Sequence, residues 1–265
     1  MTAPDPRRDV SSFQALAAEP YTVLAAGYEE VMAHVDYEAW ADYLHHLLGF
    51  HAPGARDVVE LGCGTGALAR ALQPLGPPPA GFRYRAFDGA PAMIAEARRR
   101  AGALPVTFGV ADFADPIPGP PADVALLLYD GLNYLLETEA VGRLFARVAQ
   151  ALRPGGVFVF DQSTPANSLN NADGFDDAGT TAAFSYVRES RYDAASRLHT
   201  TTLRMTLPGG AVRAEQHVQR AYTLGEIAAL LAAAPLEAVA AYDGFSSDEA
   251  GEDAERIHWV VQRPA

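Results

Sequence analysis

The sequence predicts an α/β fold built on a mostly parallel sheet, and three observations predict it. Val58 and Val59 end an apolar run without alternation, as in a strand buried on both faces. That run turns through Gly62, Gly64 and Gly66 into an Ala/Leu-rich helix pattern. Strand-length apolar runs then alternate with helical patterns as far as VFVFD (157–161), where Arg153-Pro154-Gly155-Gly156 supplies a helix stop.

The totals narrow the class. At 265 residues and 49% hydrophobic content, the chain can form one large α/β domain or a core with a modest insertion. No apolar run approaches the roughly 20 residues of a membrane span. The opening MTAPDPRRDVSSF lacks the apolar centre of a signal peptide, so a cytoplasmic location is expected. A single cysteine, Cys63, rules out an internal disulfide framework and a Cys-based zinc cluster, and no metal-ligand spacing occurs. The net charge of −13 argues against nucleic acid, which needs a basic footprint. The basic run ARRRAG (97–102) reads as a solvated helix end.

In chain order, residues 1–20 are rich in Pro, Ala and charge and read as frayed or as a short leading helix. From Tyr21 the apolar and aromatic spacing predicts two helices separated near His34–Asp36, a lid over the sheet. After the glycine helix, QPLGPPPAGF is a proline-rich surface loop feeding a strand at Phe82–Phe87 that ends in Asp88. An acidic residue at the second strand's tip can accept two hydrogen bonds from ribose hydroxyls. APAMIAEARRRAG is a helix with Met93 in its first turn, and PVTFGV is a strand delivering Asp112 and Phe113. Asp123 opens the next strand as a turn residue, and the residues after Leu128 should face the reacting centre, because ligands in open α/β sheets bind outside the strands' carboxyl ends. From Gln162 the pattern changes: STPANSLNNADGFDDAG is a polar loop. FSYVRESRYD, RLHTTTLRMTL and VRAEQHVQRAY then alternate as three antiparallel strands. Period two puts Glu215, His217 and Gln219 on one face of the last of them. Thr223 and Glu226 stand in capping-box spacing at the start of a helix, and strands LEAVAAYDGF and RIHWVVQRP follow around an acidic hairpin tip.

The glycine loop admits two cofactors. Gly62-Cys63-Gly64-Thr65-Gly66-Ala67 satisfies the dinucleotide pattern G-x-G-x-x-G/A. Glu60, just ahead of it, argues otherwise, since a carboxylate repels a pyrophosphate but suits an ammonium and a sulfonium. At an effective dielectric near 20, charges about 4 Å apart gain or lose roughly 4 kcal/mol by sign.

ELGCGTG resembles the first-strand loop of the class I S-adenosylmethionine-dependent methyltransferases, and the likeness extends over most of the chain. GYEEVMAHVDYEAWADYL resembles the YD-x-LM-x-x-V-x-Y-x-x-W segment of a bacterial branch related to sugar-amine N-methyltransferases. YDGLNYL resembles that branch's C-x-DSLNYL, with Tyr129 and Gly131 as departures, and EQHVQRAY (215–222) resembles its E-x-H-x-QR-x-Y. The resemblance implies a Rossmann-like core, a mostly parallel seven-stranded sheet ending in an antiparallel hairpin, over 21–164 and 222–265. An inserted antiparallel β-meander at 165–221 would roof the substrate and offer a surface for a homodimer. It implies S-adenosylmethionine as cofactor, against Tyr28, Glu60, Gly62, Cys63, Gly64, Gly66, Asp88, Gly89, Met93, Asp112, Phe113 and Tyr129, with Tyr37 and Trp40 as weaker candidates. The expected reaction is in-line methyl transfer to a nitrogen or oxygen of a small-molecule acceptor. Asp130, Tyr28 and His217, in that order, are the groups that could take a proton. A binding module that senses the cofactor without turnover and a nicotinamide-dependent oxidoreductase are the competing readings.

Overall fold

The computed structural model describes residues 16–171 and 175–265. It begins with strand β1 (Leu16–Ala18), a 3-10 turn (Leu24–Gly27) and helices α1 (Tyr28–Val31) and α2 (Tyr37–His51). Strands and helices then alternate as β2 (Asp57–Leu61), α3 (Ala67–Leu72), β3 (Arg83–Asp88), α4 (Pro91–Ala101), β4 (Val106–Val110), β5 (Ala122–Leu127), α5 (Thr138–Ala151) and β6 (Leu152–Ser163). Helix α6 (Pro165–Asn170) leads into β7 (Asp177–Thr180), β8 (Ser185–Asp193), β9 (Leu198–Thr206) and β10 (Val212–Arg220). Helix α7 (Leu224–Ala232), β11 (Glu237–Asp243) and β12 (Arg256–Gln262) complete the order.

Seven strands form the central sheet in the order β11-β12-β6-β5-β2-β3-β4. All neighbours run parallel except β12, which is antiparallel to both β6 and β11. The sheet is covered on both faces, which is why its middle strands read as unbroken apolar runs: Val58, Val59 and Val124 to Leu127 are wholly buried. One face packs on α5 and α7, the other on α2, α3 and α4. In α5 the buried Val141, Leu144, Phe145, Val148 and Ala149 recur at helical spacing. The chain leaves β2 toward β3 and β4, then returns to lay β5 on the other side. The resulting crevice lies at the carboxyl ends, where such sheets bind ligands.

The second sheet has five strands, β1-β10-β9-β8-β7. The three long strands are the expected meander. The short outer ones were not foreseen: Leu16–Ala18 pairs in parallel with Arg213–Glu215, so this part of the leading segment is a strand rather than a helix. Residues 1–15 lie outside the described residues. The supposed polar loop after Ser163 also contains a helix, because Thr164 caps it and Pro165 presets its first turn. Residues 172–174 of that loop lie outside the description too. Asp123 does more than turn the chain: it accepts the backbone N–H groups of Arg56 and Asp57 at 2.9 Å each and pairs with Arg153. The capping box on α7 forms as its spacing predicts.

Gly66 begins α3 at φ +72°, where an added Cβ would stand 2.7 Å from the Phe108 ring. Gly142, inside α5, has open space at the same position. Gly66→Ala should therefore lower stability by at least about 1 kcal/mol. Gly142→Ala should raise it by about 0.5–1 kcal/mol. Urea unfolding of both variants checks the pair.

Candidate active site

A cavity of about 830 Å³ opens at the carboxyl ends of the parallel strands. Its floor is the turn after β2, where Gly62 and Gly64 hold φ of +63° and +53°. Nothing lies within 4 Å of a Cβ built on Gly64, so bare backbone faces open space. Asp88 fixes this turn: one carboxylate oxygen accepts Gly64 N–H at 2.8 Å and the other accepts Ala90 N–H at 2.8 Å. Each oxygen keeps a lone pair for the cavity. Burial pushes the Asp88 carboxyl above its ordinary range, against the pull of those two N–H groups.

Glu60 is the unusual group. It lines the cavity with 3% of its surface exposed, and Tyr84 Oη, at 3.0 Å, donates to it. Burial, with a smaller push from Asp88, raises its carboxyl to about 8. Without a cation beside it, Glu60 is therefore mostly protonated at neutral pH.

Of the remaining residues expected to hold the cofactor, Tyr28, Cys63, Gly89, Met93, Asp112, Phe113 and Tyr129 all line this cavity, as do Tyr37 and Trp40. Gly66 does not. Its part is to let α3 pack on β4, as the Phe108 approach shows. Asp130 and His217 are absent from this wall as well and face a second cavity of about 360 Å³. Tyr21, Tyr28, Tyr129 and Tyr134 line both and form the partition between them.

Asp130, first of the expected proton acceptors, is committed elsewhere. Arg256 holds it at 2.7 Å and also pairs with Asp161, which is completely buried. Burial raises the Asp161 carboxyl to about 7, with Arg256 opposing. The Arg256 guanidinium also stands 5.5 Å from the ring centroids of Trp40 and Tyr129. Tyr129 and Asp130 both adopt positive φ, +61° and +63°, which costs of order 1 kcal/mol for a residue with a Cβ. Gly131, where the resembling motif has serine, stands close to β5: a Cβ there would lie 2.4 Å from Leu127 Cδ1.

The EQHVQRAY strand ties the second sheet to the rest. Glu215, with no exposed surface, accepts backbone N–H groups from Tyr21 (2.7 Å), Val23 (2.6 Å) and Leu24 (3.0 Å). His217 Nδ1 meets Tyr134 Oη at 3.0 Å. Arg220 donates to Leu136 O, and Tyr222 Oη donates to Leu135 O. Asn133 Nδ2 donates to Arg220 O at 2.7 Å and Ser163 O at 2.8 Å. The adjacent glutamates of α1 divide their work. Glu29 accepts from Thr65 (2.7 Å), Arg70 (2.9 Å) and Arg100 (2.9 Å) on the core, whereas Glu30 accepts Ala182 N–H at 2.9 Å on the second sheet. Arg100, read as part of a solvated helix end, is thus one of the lid's anchors. Sequence reasoning missed Tyr21 and Arg256, and it reached Tyr134 only as part of the run after Leu128. The hydrogen bonds of Tyr21 and Arg256 join segments up to 194 residues apart, and no local pattern marks either residue.

Residues 58–156 match the model of a family described as a methyltransferase domain. A solved S-adenosylmethionine-dependent methyltransferase from Clostridium acetobutylicum superposes with a TM-score of 0.74, at 24% identity, over 89% of this chain and 96% of that one. The chain has the class I methyltransferase fold. Another class I structure, an amino pentose methyltransferase from Micromonospora echinaspora, aligns at 22% identity and a TM-score of 0.67 over 89% and 96% of the two chains. A curated relative from Geobacillus sp. (strain WCH70), named "Putative methyltransferase GWCH70_2453", is 31% identical over 144 residues. That stretch is 53% of this chain and 56% of the relative, so the likeness spans about half the length of each. The antiparallel β12 belongs to this fold, as the sequence led us to expect, and is not a feature of a plain dinucleotide-binding sheet. No helix among the described residues is long and apolar enough to cross a membrane.

The Glu60 carboxyl lies near 8 in the folded chain against an ordinary 4.5, so its contribution to stability is present below about 4.5 and lost as pH rises toward 8. The loss approaches about 1.4 kcal/mol per pH unit within that window. Glu60→Gln should flatten this decline and leave the unliganded chain more stable than the parent at pH 8, as read by chemical unfolding at stepped pH. Arg256→Met strands Asp130 and Asp161 together and should cost about 3–5 kcal/mol at pH 7.5, less at pH 5, in the same assay.

Proposed function

We propose that the protein is a methyltransferase that moves the methyl group of S-adenosylmethionine to an amine or hydroxyl of a small molecule. The observation that carries this reading is Glu60, a buried cavity-lining carboxyl with Tyr84 as its only hydrogen-bond partner among the described residues, beside the bare backbone of Gly64. A cationic amino-acid tail favours the ionised form of that group and pairs with it, a compensation a pyrophosphate cannot give. Asp88 and Asp112 offer oxygens to ribose and adenine, and Met93 and Phe113 offer apolar surface to the ring. Once bound, the donor supplies an activated methyl group on a sulfonium that is already a good leaving group. The protein's share is alignment and exclusion of water, and orientation alone can remove about 7–11 kcal/mol of barrier.

The acceptor belongs, on this reading, in the second cavity, across the tyrosine partition. Its wall is rich in neutral polar groups, among them Ser163, Asn167, Ser168, Thr201 and Gln219. Its two oppositely charged groups are spoken for, Asp130 by Arg256 and Arg188 by Asp177. Such a wall suits a polyhydroxylated amine of sugar size, and the likeness to an amino pentose methyltransferase supports the same class.

Calorimetry with S-adenosylhomocysteine, followed by methyl transfer from labelled S-adenosylmethionine to a panel of amino sugars and simple alcohols, tests the proposal. Binding should be lost in Gly64→Val and weakened at least about tenfold in Glu60→Ala. Affinity for S-adenosylmethionine should also rise with pH up to about 8, as Glu60 ionises. A parent chain that binds neither compound overturns the reading.

A further inference from the structure

We propose that Tyr134 and His217 form a proton relay, backed by Glu215, that removes the proton of the methyl acceptor. The inference rests on the second cavity being the acceptor chamber. Tyr134 is one of the few side chains that line both cavities, so its hydroxyl stands where donor and acceptor meet. Behind it, His217 Nδ1 lies at 3.0 Å, and Tyr21 Oη is hydrogen-bonded to the Tyr134 hydroxyl.

The direction of these bonds follows from the far side of the imidazole. His217 Nε2 is buried, has no hydrogen-bond partner among the described residues, and stands 3.5 Å from Glu215 Oε2. Burial alone would push the Glu215 carboxyl up, but His217 and the N–H groups of Leu24, Val23 and Tyr21 hold it below the ordinary range. Glu215 is therefore a carboxylate at neutral pH, and it favours a proton on Nε2. In the neutral imidazole Nδ1 then accepts, and Tyr134 donates to it. With Tyr21 donating to the Tyr134 oxygen, one lone pair remains there for the acceptor's N–H or O–H.

The step balances. The acceptor's lone pair forms the new bond to the methyl carbon as the carbon–sulfur bond breaks, its electron pair staying on sulfur. The acceptor's proton passes to Tyr134 Oη while the Tyr134 proton passes to His217 Nδ1. The imidazolium so formed faces the Glu215 carboxylate. Tyr134, which touches the acceptor, is the catalytic residue, and His217 and Glu215 act through it. Among the described residues, the uncharged Tyr21 on the lid, with ring centroids 4.7 Å apart, and Thr201, its register partner on β9, also face His217. Asp130 cannot compete while Arg256 holds it.

Nitrogen NMR of the full chain labelled with 15N-histidine tests the hydrogen-bond direction without any ligand. At pH 7.5 the His217 Nδ1 should be unprotonated, and its resonance should move in Tyr134→Phe and in Glu215→Gln. A proton on Nδ1, or a resonance indifferent to Tyr134→Phe, overturns the relay. On an amine that the parent methylates, Tyr134→Phe should lower kcat at least about tenfold at pH 7 with KM little changed, and the deficit should shrink as pH deprotonates the amine. Equal kcat in parent and variant across pH 6–9 also overturns it. Calorimetric binding of S-adenosylhomocysteine separates this outcome from failure of the methyltransferase reading, because the relay's failure leaves that binding intact.

Discussion

Carboxyl groups buried at the carboxyl edge of the central sheet set the terms for the rest of this structure. An ionised carboxylate in a low-dielectric crevice needs a counter-charge or donors, and the chain answers that need in different ways. Asp88 takes two backbone N–H groups and in doing so fixes the glycine turn. Asp130 and Asp161 share Arg256, which also braces the strained pair Tyr129-Asp130. Among the described residues, Glu60 receives only a tyrosine hydroxyl. The asymmetry identifies Glu60 as the group that gains most from a cationic ligand, and it accounts for the raised carboxyl in the unliganded chain.

The same logic closes the top of the site. The front of the lid is a 3-10 turn followed by the short helix α1. Its apolar contacts, Leu24 and Val31 against Phe184, Tyr186, Leu203 and Met205, are joined by three glutamates at fixed points. Glu215 gathers the N–H groups of the leading turn, Glu29 grips the core, and Glu30 reaches the second sheet. Tyr28 lies next to Glu29 in sequence, so the anchor that fixes α1 also fixes the tyrosine between the two cavities.

Local signals in the chain carry much of this architecture. The strand–glycine–helix turn, the buried runs, the capping box and the alternating strands 185–220 are each written within about ten residues, and all appear where their patterns put them. So does the wall of the larger cavity, because residues at the ends of parallel strands share one rim whatever the details of packing. The geometry departs from local expectation where a residue's neighbours are distant in sequence. Leu16–Ala18 becomes a strand only because β10 offers a free edge. Gly66 leaves the cavity wall because α3 must approach Phe108. Asp130 follows a strand, where an acid–base residue is expected, and only the fold brings Arg256 to it from 126 residues away.

By itself, then, the sequence determined the sheet, the cradle after its first parallel strand and the residues that rim it, since backbone propensity and periodicity are local quantities. Which carboxyl is neutralised, which hydroxyl faces both cavities and which histidine stands behind it were decided by tertiary structure. Charge compensation and hydrogen-bond direction depend on distances between segments, and those distances exist only once the two sheets and the lid have come together.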